Sequence, residues 1–263
     1  MNFGVLFLVG LIFSAVGFVM YIYFFSVGYG LAIAAIGAAL MIGFKGQMGA
    51  AEFLGCSMLV VYGLRLGLYL LYRDAKNAGY RKILSPERER SRTMPMGPKL
   101  AIWVSCALLY AMMTSPICFR LQNGAKADWA LWTGMLLMTC GIILECVADY
   151  QKSAAKKKNS ARFVDTGVYR LVRCPNYLGE LILWTGVLLT GVTAKLSALQ
   201  WIIALCGYLL IVFVMFSGAR RLELRQDKNY GDDPAYQEYV RTVPIILPFV
   251  PLYSVKKYKF LVA

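Results

Sequence analysis

Long apolar runs separated by polar segments dominate the pattern of this chain. Seven runs are recognised, at about 3–25, 27–44, 53–72, 100–119, 128–149, 176–194 and 198–217. An α-helix needs roughly 20 apolar residues to cross the hydrocarbon core of a bilayer, and most of these runs approach that length. We therefore predict about seven transmembrane helices, of which the second is short and rich in glycine.

The fold class that follows is all-α, a polytopic membrane helix bundle. Hydrophobic residues make up 59% of the chain and charged residues only 16%, a balance that soluble domains rarely show. No linker rich in glycine, serine or proline separates two hydrophobic sets, so residues 1–263 are expected to form a single domain. The first run lacks a preceding basic region and is predicted to be a retained helix rather than a cleaved signal peptide.

The distribution of positive charge predicts the orientation of the helices. Segments 73–99, 150–173 and 217–263 contain 8, 7 and 8 of the 28 lysines and arginines. Basic segments of membrane proteins stay on the cytosolic side. The N-terminus is therefore expected outside and the C-terminus in the cytosol. This asymmetry also accounts for the net charge of +14 without a nucleic-acid partner.

The composition excludes several kinds of active site. The sequence has no histidine, which removes Ser-His and Cys-His nucleophiles and haem ligation by histidine. Seven cysteines lie mostly inside apolar runs without a CxxC pair, so they are interpreted as small buried hydrophobes rather than metal ligands. Any chemistry must use tyrosine, acidic or basic side chains, or a bound cofactor.

A polar face is predicted at the start of the sixth run. Asn176, Glu180 and Trp184 are spaced four residues apart and therefore share one side of a helix. The positive N-terminal end of this helix, with Arg170 and Arg173 just before it, is a plausible seat for phosphate. Glu180 either accepts hydrogen bonds from ribose or carboxamide groups, or pairs with an arginine as a structural contact. The spacing leaves both readings open.

The third run carries a second polar face. Tyr62, Arg65, Tyr69 and Arg73 fall on one side of a helix. An arginine inside a membrane span is a functional-site hypothesis by default. Extension of the side chain to the membrane surface explains Arg73 well and Arg65 poorly, because Arg65 lies deeper. Tyr62 is either functional or an ordinary packed aromatic, and its position does not separate the two.

The fifth run ends with two carboxylates. Glu145 and Asp149 lie four residues apart at the predicted cytosolic end, where they either bind hydroxyl or amino groups or pair with the basic loops. A pocket that is basic at its rim and acidic deeper in suits a long anionic cofactor, although S-adenosylmethionine fits the same description. No GxGxxG follows a strand, so a Rossmann unit is not expected.

The stretch GVYRLVRCPNYLGELILW resembles the signature of the steroid 5α-reductase-like superfamily, including its bacterial membrane branch of DUF1295-type reductases. Its core is Asn-Tyr-x-Gly-Glu-x-x-x-Trp, here Asn176, Tyr177, Gly179, Glu180 and Trp184. The Tyr-x-x-Arg-x-x-x-Tyr pattern of the third run, the VADYQK segment and the VPIILPFVP tail are also similar to parts of that family. The likeness covers roughly residues 55–255.

The resemblance implies NADPH-dependent reduction of a C=C bond conjugated to a carbonyl, in a hydrophobic substrate such as a 3-oxo-Δ4-steroid or a sterol-like lipid. The partners implied are this substrate and membrane lipids, without nucleic acid or metal, in a bacterial inner membrane with the cofactor site facing the cytoplasm. Tyr62 would polarise the carbonyl. Steroid-acting members carry a catalytic Gln-Glu pair upstream of this tyrosine, where the chain reads Gly28-Tyr29-Gly30, so Glu52 is the remaining candidate for the acid. The cofactor-binding residues would be Arg65, Tyr69, Arg73, Glu145, Asp149, Arg170, Arg173, Asn176, Tyr177, Glu180 and Arg220.

Two other functions are considered. A membrane methyltransferase of the isoprenylcysteine type, using S-adenosylmethionine, has a signature partly visible in TGVYRLVRCPNYLG and GDDPAYQEYVRTVP. That family usually has histidine where this chain has Cys174, and a Glu pair where it has only Glu223. A non-enzymatic lipid-binding bundle is the third class, and it predicts neither of the two polar faces.

Overall fold

The structure, a computed structural model, describes residues 1–76 and 78–262, and no strand occurs in these two ranges. The helices are α1 (Phe3–Ser14), α2 (Val27–Gly43), α3 (Ala50–Lys76), α4 (Ala78–Thr93), α5 (Met96–Gln122), α6 (Trp129–Lys158), α7 (Pro175–Leu189), α8 (Ala198–Tyr230) and α9 (Pro234–Thr242). The predicted all-α fold class is confirmed.

Within the described residues, four helices are long and apolar enough to cross a membrane: α3, α5, α6 and α8. They coincide with the third, fourth, fifth and seventh predicted runs. Large apolar side chains on these helices are exposed, including Ile202, Leu209 and Leu136 at 58%, 63% and 62%. An apolar exterior is what lipid contact requires, and the chain is an integral membrane protein.

The first predicted run is not one continuous helix. It contains α1, which ends at Ser14, and two short 3₁₀ turns, Ala15–Phe18 and Tyr21–Phe25. The ring of Phe24 packs over Gly17, where a Cβ would lie 2.0 Å from the ring, so the chain folds back on itself. The second and sixth runs form helices of 17 and 15 residues. The number of crossings and their orientation stay predictions.

Helix α4 lies in the basic segment that the sequence analysis treated as a loop. The Arg88 Nη2 donates to both carboxylate oxygens of Asp74, at 2.8 and 2.7 Å, which joins α4 to the end of α3. The backbone N–H of Tyr21 donates to Ser91 Oγ at 3.0 Å. These polar contacts stabilise a helix that is too polar to stand out among the apolar runs.

The chain forms two compact units, Met1–Met135 with Val187–Tyr208, and Leu136–Gly186 with Leu209–Ala263. The division falls within α6, α7 and α8, so it does not follow a linker. No finding tests the predicted single domain, which stays a prediction. Below, the two are called the first unit and the second unit.

Glycine contacts bring helix backbones together in both units. In the first, a Cβ on Gly63 of α3 would lie 2.4 Å from the Gly30 carbonyl oxygen of α2. In the second, a Cβ on Gly141 of α6 would lie 2.5 Å from the Gly179 carbonyl oxygen of α7. Small residues at helix crossings permit this approach in membranes. The crossings fix which side chains beside them meet.

Candidate functional site

A short turn before α7 positions the first polar group of the second unit. Gly167 has φ +63°, and a Cβ there would lie 2.1 Å from Gln151 Oε1, so the position requires glycine. The same Oε1 accepts a hydrogen bond of 2.9 Å from the backbone N–H of Val168. The 3₁₀ turn Gly167–Arg170 that follows buries Tyr169. Gln151 of α6 thus anchors the approach to α7.

Asp149, Asn176 and Tyr169 form a hydrogen-bonded network. The Asn176 amide Nδ2 donates to Asp149 Oδ1 at 2.6 Å, and the Tyr169 hydroxyl donates to Asn176 Oδ1 at 3.1 Å. Both ends of the amide are therefore engaged, which fixes its orientation. The structure brings together Asp149 and Asn176, which the sequence analysis placed on separate helices as cofactor ligands.

Two further predicted carboxylates are buried nearby on the same two helices. Glu180 is 7% exposed, and its Oε2 accepts a hydrogen bond of 3.0 Å from Trp184 Nε1, one turn further along α7. Glu145 of α6 is 2% exposed and its Cγ lies against Gly179, where a Cβ would be 2.7 Å away. Removing carboxylates from water is costly without hydrogen-bond donors. For Glu180 the Trp184 Nε1 supplies one such donor.

Tyr177, the remaining predicted ligand of α7, packs against α8. A Cβ on Gly218 would lie 3.0 Å from the Tyr177 hydroxyl oxygen, so glycine at this position makes room for the phenol. Tyr177 is half-buried. The contact joins α7 to α8 directly beside the buried carboxylate of the following turn.

Arg173 does not lie where a phosphate ligand should. Its Nη2 donates to Glu223 Oε1 at 2.9 Å, and the two side chains are 1% and 0% exposed. The same nitrogen donates to the Tyr253 carbonyl, and Glu223 Oε2 accepts from the Val255 N–H at 3.0 Å. The prediction of Arg173 as a phosphate ligand is corrected on this ground. Its charge is already neutralised inside the protein, where it holds the non-helical C-terminal segment.

The backbone beside Arg173 continues that attachment. The Arg173 and Cys174 N–H groups donate to the carbonyls of Pro244 and Ile245, both at 2.9 Å. Ile245 and Ile246 are buried, and the segment is non-helical as its three prolines predict. Burial raises the pKa of the Cys174 thiol to about 12, although the charge of Arg173 lowers it. Cys174 is therefore a neutral packing residue.

Arg170 and Arg220 have different roles. Arg170 is exposed and lines an open pocket of about 330 Å³. The other residues lining it are Leu171, Thr242, Pro244, Phe249, Val250, Pro251 and Tyr253. Arg220 donates to the carbonyls of Lys256 and Leu261, at 3.1 and 3.2 Å. Arg170 is thus exposed at this pocket, whereas Arg220 is engaged with the C-terminal segment.

Three tail tyrosines enclose Phe163. The rings of Tyr230, Tyr236 and Tyr239 lie 6.0, 5.3 and 5.4 Å from that of Phe163. The Tyr239 hydroxyl donates to the Tyr169 carbonyl at 2.7 Å, which connects α9 to the turn before α7. Burial raises the pKa of Tyr239 well above its usual range. Phe163 and these tyrosines thus pack the end of α9 against the turn before α7.

In the first unit, Tyr62 is fully buried and contacts another tyrosine. Its hydroxyl lies 3.0 Å from the hydroxyl of Tyr29 of α2, in a hydrogen bond that either oxygen can donate. The two rings meet edge to face at 6.2 Å, and Tyr29 also packs on Tyr110 of α5 at 5.1 Å. Tyr62 is thus part of a buried polar contact.

Glu52 does not lie beside Tyr62. Both are on α3, ten residues apart, which corresponds to about 15 Å along the helix axis. Glu52 is 5% exposed in the first turn of α3. The prediction that Glu52 assists Tyr62 is therefore corrected, and a hydroxyl that does contact Tyr62 is that of Tyr29.

The remaining predicted face of α3 forms as expected. The guanidinium carbons of Arg65 and Arg73 lie 5.6 and 5.5 Å from the centre of the Tyr69 ring. Cation–π contacts of this kind hold each guanidinium against the aromatic face. The two arginines contact the same ring, so their positive charges lie close together and suit an anion.

Comparison with known proteins agrees with the superfamily inferred from the signature. The family described as "Protein of unknown function (DUF1295)" matches residues 7–243. The chain belongs to this family. It is also 24% identical over 132 residues to "Steroid 5-alpha-reductase DET2" of Arabidopsis thaliana. That match covers 49% of this chain and 45% of the relative, so the chain spans less than half the length of that protein. No solved structure matches the chain.

Three residues important to the site were missed from the sequence. Tyr29 lies between two glycines in the sequence. Small residues of this kind favour a close helix crossing, such as the one at Gly30, and are the signal that could have identified Tyr29. Tyr169 belongs to the segment GVYRLVR. This segment has no helical periodicity that would assign Tyr169 to a polar face. Glu223 was noted only as a single glutamate where the methyltransferase family has a pair, although a buried acid within a basic stretch predicts an arginine partner.

Proposed function

We propose that this protein is an NADPH-dependent membrane reductase of a C=C bond conjugated to a carbonyl, in a 3-oxo-Δ4-steroid or another sterol-like lipid. The observation that carries the proposal is the Asp149–Asn176–Tyr169 network beside the buried Glu180. Similarity to a protein named as a steroid 5α-reductase supports the same reaction class. Membership in the family described above is consistent with it.

The groups in the second unit fit a pyridine dinucleotide. An oriented amide and three carboxylates, Asp149, Glu145 and Glu180, offer acceptors for carboxamide and ribose hydrogens. Arg170, exposed on its open pocket, offers a cation for phosphate. In the first unit, Arg65 and Arg73 are further candidates for phosphate, including the 2′-phosphate that distinguishes NADPH from NADH. When bound, NADPH supplies the hydride for the reaction.

Tyr62 acts on the substrate. As the β-carbon of the enone gains a hydride, the electrons of the C=C bond shift towards the carbonyl and charge develops on its oxygen. The Tyr62 hydroxyl donates to that oxygen and stabilises the developing enolate. A proton from solvent water then adds to the α-carbon and completes the addition of two hydrogens. Burial of Tyr62 keeps water from competing for the carbonyl.

The proposed location is a bacterial inner membrane with the cofactor residues on the cytoplasmic side. The three basic segments support this orientation, because positive residues stay in the cytosol. A fluorescent protein fused to the C-terminus should fluoresce in cells, and alkaline phosphatase fused there should be inactive. The opposite pair of results would refute the orientation.

Ligand-dependent stability tests the cofactor. Purified protein in detergent should gain thermal stability from NADPH, less from NADH and none from S-adenosylmethionine at equal concentrations, since a ligand stabilises the folded state that binds it. Stabilisation by S-adenosylmethionine alone would replace the reductase with a methyltransferase. No response to any of the three would favour a non-enzymatic bundle.

A further inference from the structure

The close crossing of α2 and α3 determines which side chains meet beside it. A Cβ on Gly30 would lie 2.5 Å from the Gly67 nitrogen, and one on Gly63 would lie 2.5 Å from the Ala34 nitrogen. Tyr29 and Tyr62 each precede one of these contact glycines in sequence. The backbone contact therefore brings the two tyrosines to the same flank of the crossing, where their hydroxyls lie 3.0 Å apart.

Tyr29 has a restricted position of its own. It is 6% exposed, and its ring lies 5.1 Å from that of Tyr110. The Tyr110 hydroxyl in turn donates to the backbone carbonyl of Phe24, just before α2. Three helices thus fix the Tyr29 ring, and its hydroxyl is directed at Tyr62. A partner held in this way loses little conformational freedom when it forms a hydrogen bond.

We propose that Tyr29 is a positioning residue for Tyr62, and that a tyrosine pair takes the place of an acid beside the reacting hydroxyl. The inference rests on the proposed function, because it concerns the carbonyl-polarising step. When Tyr29 donates to Tyr62 Oη, the proton of Tyr62 is not used in that bond and is directed to the substrate oxygen. As the enolate forms, negative charge shifts towards Tyr62 Oη.

The Tyr29 hydroxyl stabilises that charge, since a hydrogen bond to an ionic acceptor is roughly twice as strong as one between neutral groups. The interaction is thus stronger in the transition state than in the ground state, which is the condition for raising the rate. No covalent bond to Tyr29 forms and its proton stays on its own oxygen. Both tyrosines keep their protons and end the reaction as they began, because each acts only as a hydrogen-bond donor.

The distinguishing feature of this role is a selective loss of turnover. Tyr29→Phe keeps the ring and its packing on Tyr110 but removes the hydroxyl. We expect kcat to fall by about 10- to 100-fold, as for loss of one hydrogen bond to a charged acceptor, while the KM for NADPH stays within about twofold. Tyr62→Phe should reduce kcat further. Tyr29→Phe added to Tyr62→Phe should have little additional effect, because Tyr29 acts through the hydroxyl already removed.

Tyr21→Phe is the matched control. Tyr21 also loses a direct hydroxyl hydrogen bond, to Glu87, in the 3₁₀ turn Tyr21–Phe25. Its kcat should stay within about twofold of the unmodified protein. If Tyr29 only stabilised the fold, Tyr29→Phe would lower the melting temperature without changing kcat. In that case the loss of stability caused by Tyr29→Phe would also appear in full when it is combined with Tyr62→Phe.

The experiment measures NADPH oxidation in detergent with the enone that the unmodified protein reduces fastest from a panel that includes a 3-oxo-Δ4-steroid. A large loss in Tyr62→Phe with no loss in Tyr29→Phe overturns this inference and leaves the proposed function intact. Normal turnover in Tyr62→Phe overturns the assigned role of Tyr62, and this inference with it. If none of the enones on the panel supports NADPH oxidation by the unmodified protein, the proposed function fails and so does the role of Tyr29 in it.

Discussion

The side-chain amide of Asn176 donates a hydrogen bond of 2.6 Å to the carboxylate of Asp149, joining the first turn of α7 to α6. The Tyr169 hydroxyl donates to the other end of the same amide at 3.1 Å. An amide fixed at both ends has a defined orientation. This relationship turns three polar residues from separate segments into one oriented group.

Asp149→Asn should weaken NADPH binding by about 10-fold or more, because it replaces a charged acceptor by an amide that is also a donor. Hydrogen bonds to charged groups contribute about 1.5–3 kcal/mol. Titration calorimetry in detergent measures the change. Asp165→Asn is the control, since Asp165 forms a surface ion pair with Arg162. Equal affinity in Asp149→Asn and the unmodified protein would make the network purely structural.

Glu180→Gln should weaken NADPH binding without unfolding the protein. The Gln carbonyl still accepts the hydrogen bond from Trp184, but the negative charge available to ribose hydroxyls is lost. We expect a rise in Kd of about 10-fold and a melting temperature that is unchanged or higher, because a buried charge has been removed. Glu89→Gln, on the exposed face of α4, serves as control. A fall in melting temperature with unchanged Kd would mark Glu180 as a structural residue.

Glu223→Gln should release the C-terminal segment. Breaking a buried ion pair costs about 3–5 kcal/mol, since the other charge is left without its partner. The released segment would expose Cys174, which is 4% exposed and protonated in the intact protein. Maleimide labelling at neutral pH measures this, in a background where the exposed Cys140, Cys146 and Cys206 are replaced by alanine.

The labelling should rise in Glu223→Gln and stay low in Glu238→Gln, which alters an exposed residue of α9. Equal protection of Cys174 in both variants would show that other contacts are sufficient to hold the segment.

Gly179→Ala should destabilise the crossing of α6 and α7. The added Cβ would lie 2.7 Å from Glu145 Cγ and 2.9 Å from the Gly141 carbonyl oxygen, and the latter is backbone that cannot move aside. Overpacking of this kind costs about 1–3 kcal/mol and should lower the melting temperature. Gly97→Ala is the control, because nothing lies within 4 Å of a Cβ there. A melting temperature unaffected by Gly179→Ala would contradict the close approach of the two helices.

Periodicity and charge predicted the helical class and most of the polar faces. Asn176, Glu180 and Trp184 share a face of α7 because their spacing fits 3.6 residues per turn. Arg65 and Arg73 flank Tyr69 for the same reason. Such local relations follow from a single helix and need no knowledge of its neighbours.

Relations between elements could not be predicted in this way. The Tyr29–Tyr62 hydrogen bond depends on the crossing of two helices at glycines far apart in sequence. Arg173 was placed at a phosphate because it is basic and precedes a helix, yet its burial against Glu223 is a tertiary contact. Glu52 was considered for its chemistry alone, and the rise of the helix separates it from Tyr62.

The most direct test of the reductase is the product. Purified protein should oxidise NADPH in the presence of a hydrophobic enone from the panel, and mass spectrometry should show one product molecule, two hydrogens heavier, for each NADPH consumed. NADPH deuterated at the transferred position should place the label at the β-carbon of the product. Methyl transfer from S-adenosylmethionine to a lipid acceptor, with no enone-dependent NADPH oxidation, would contradict the account.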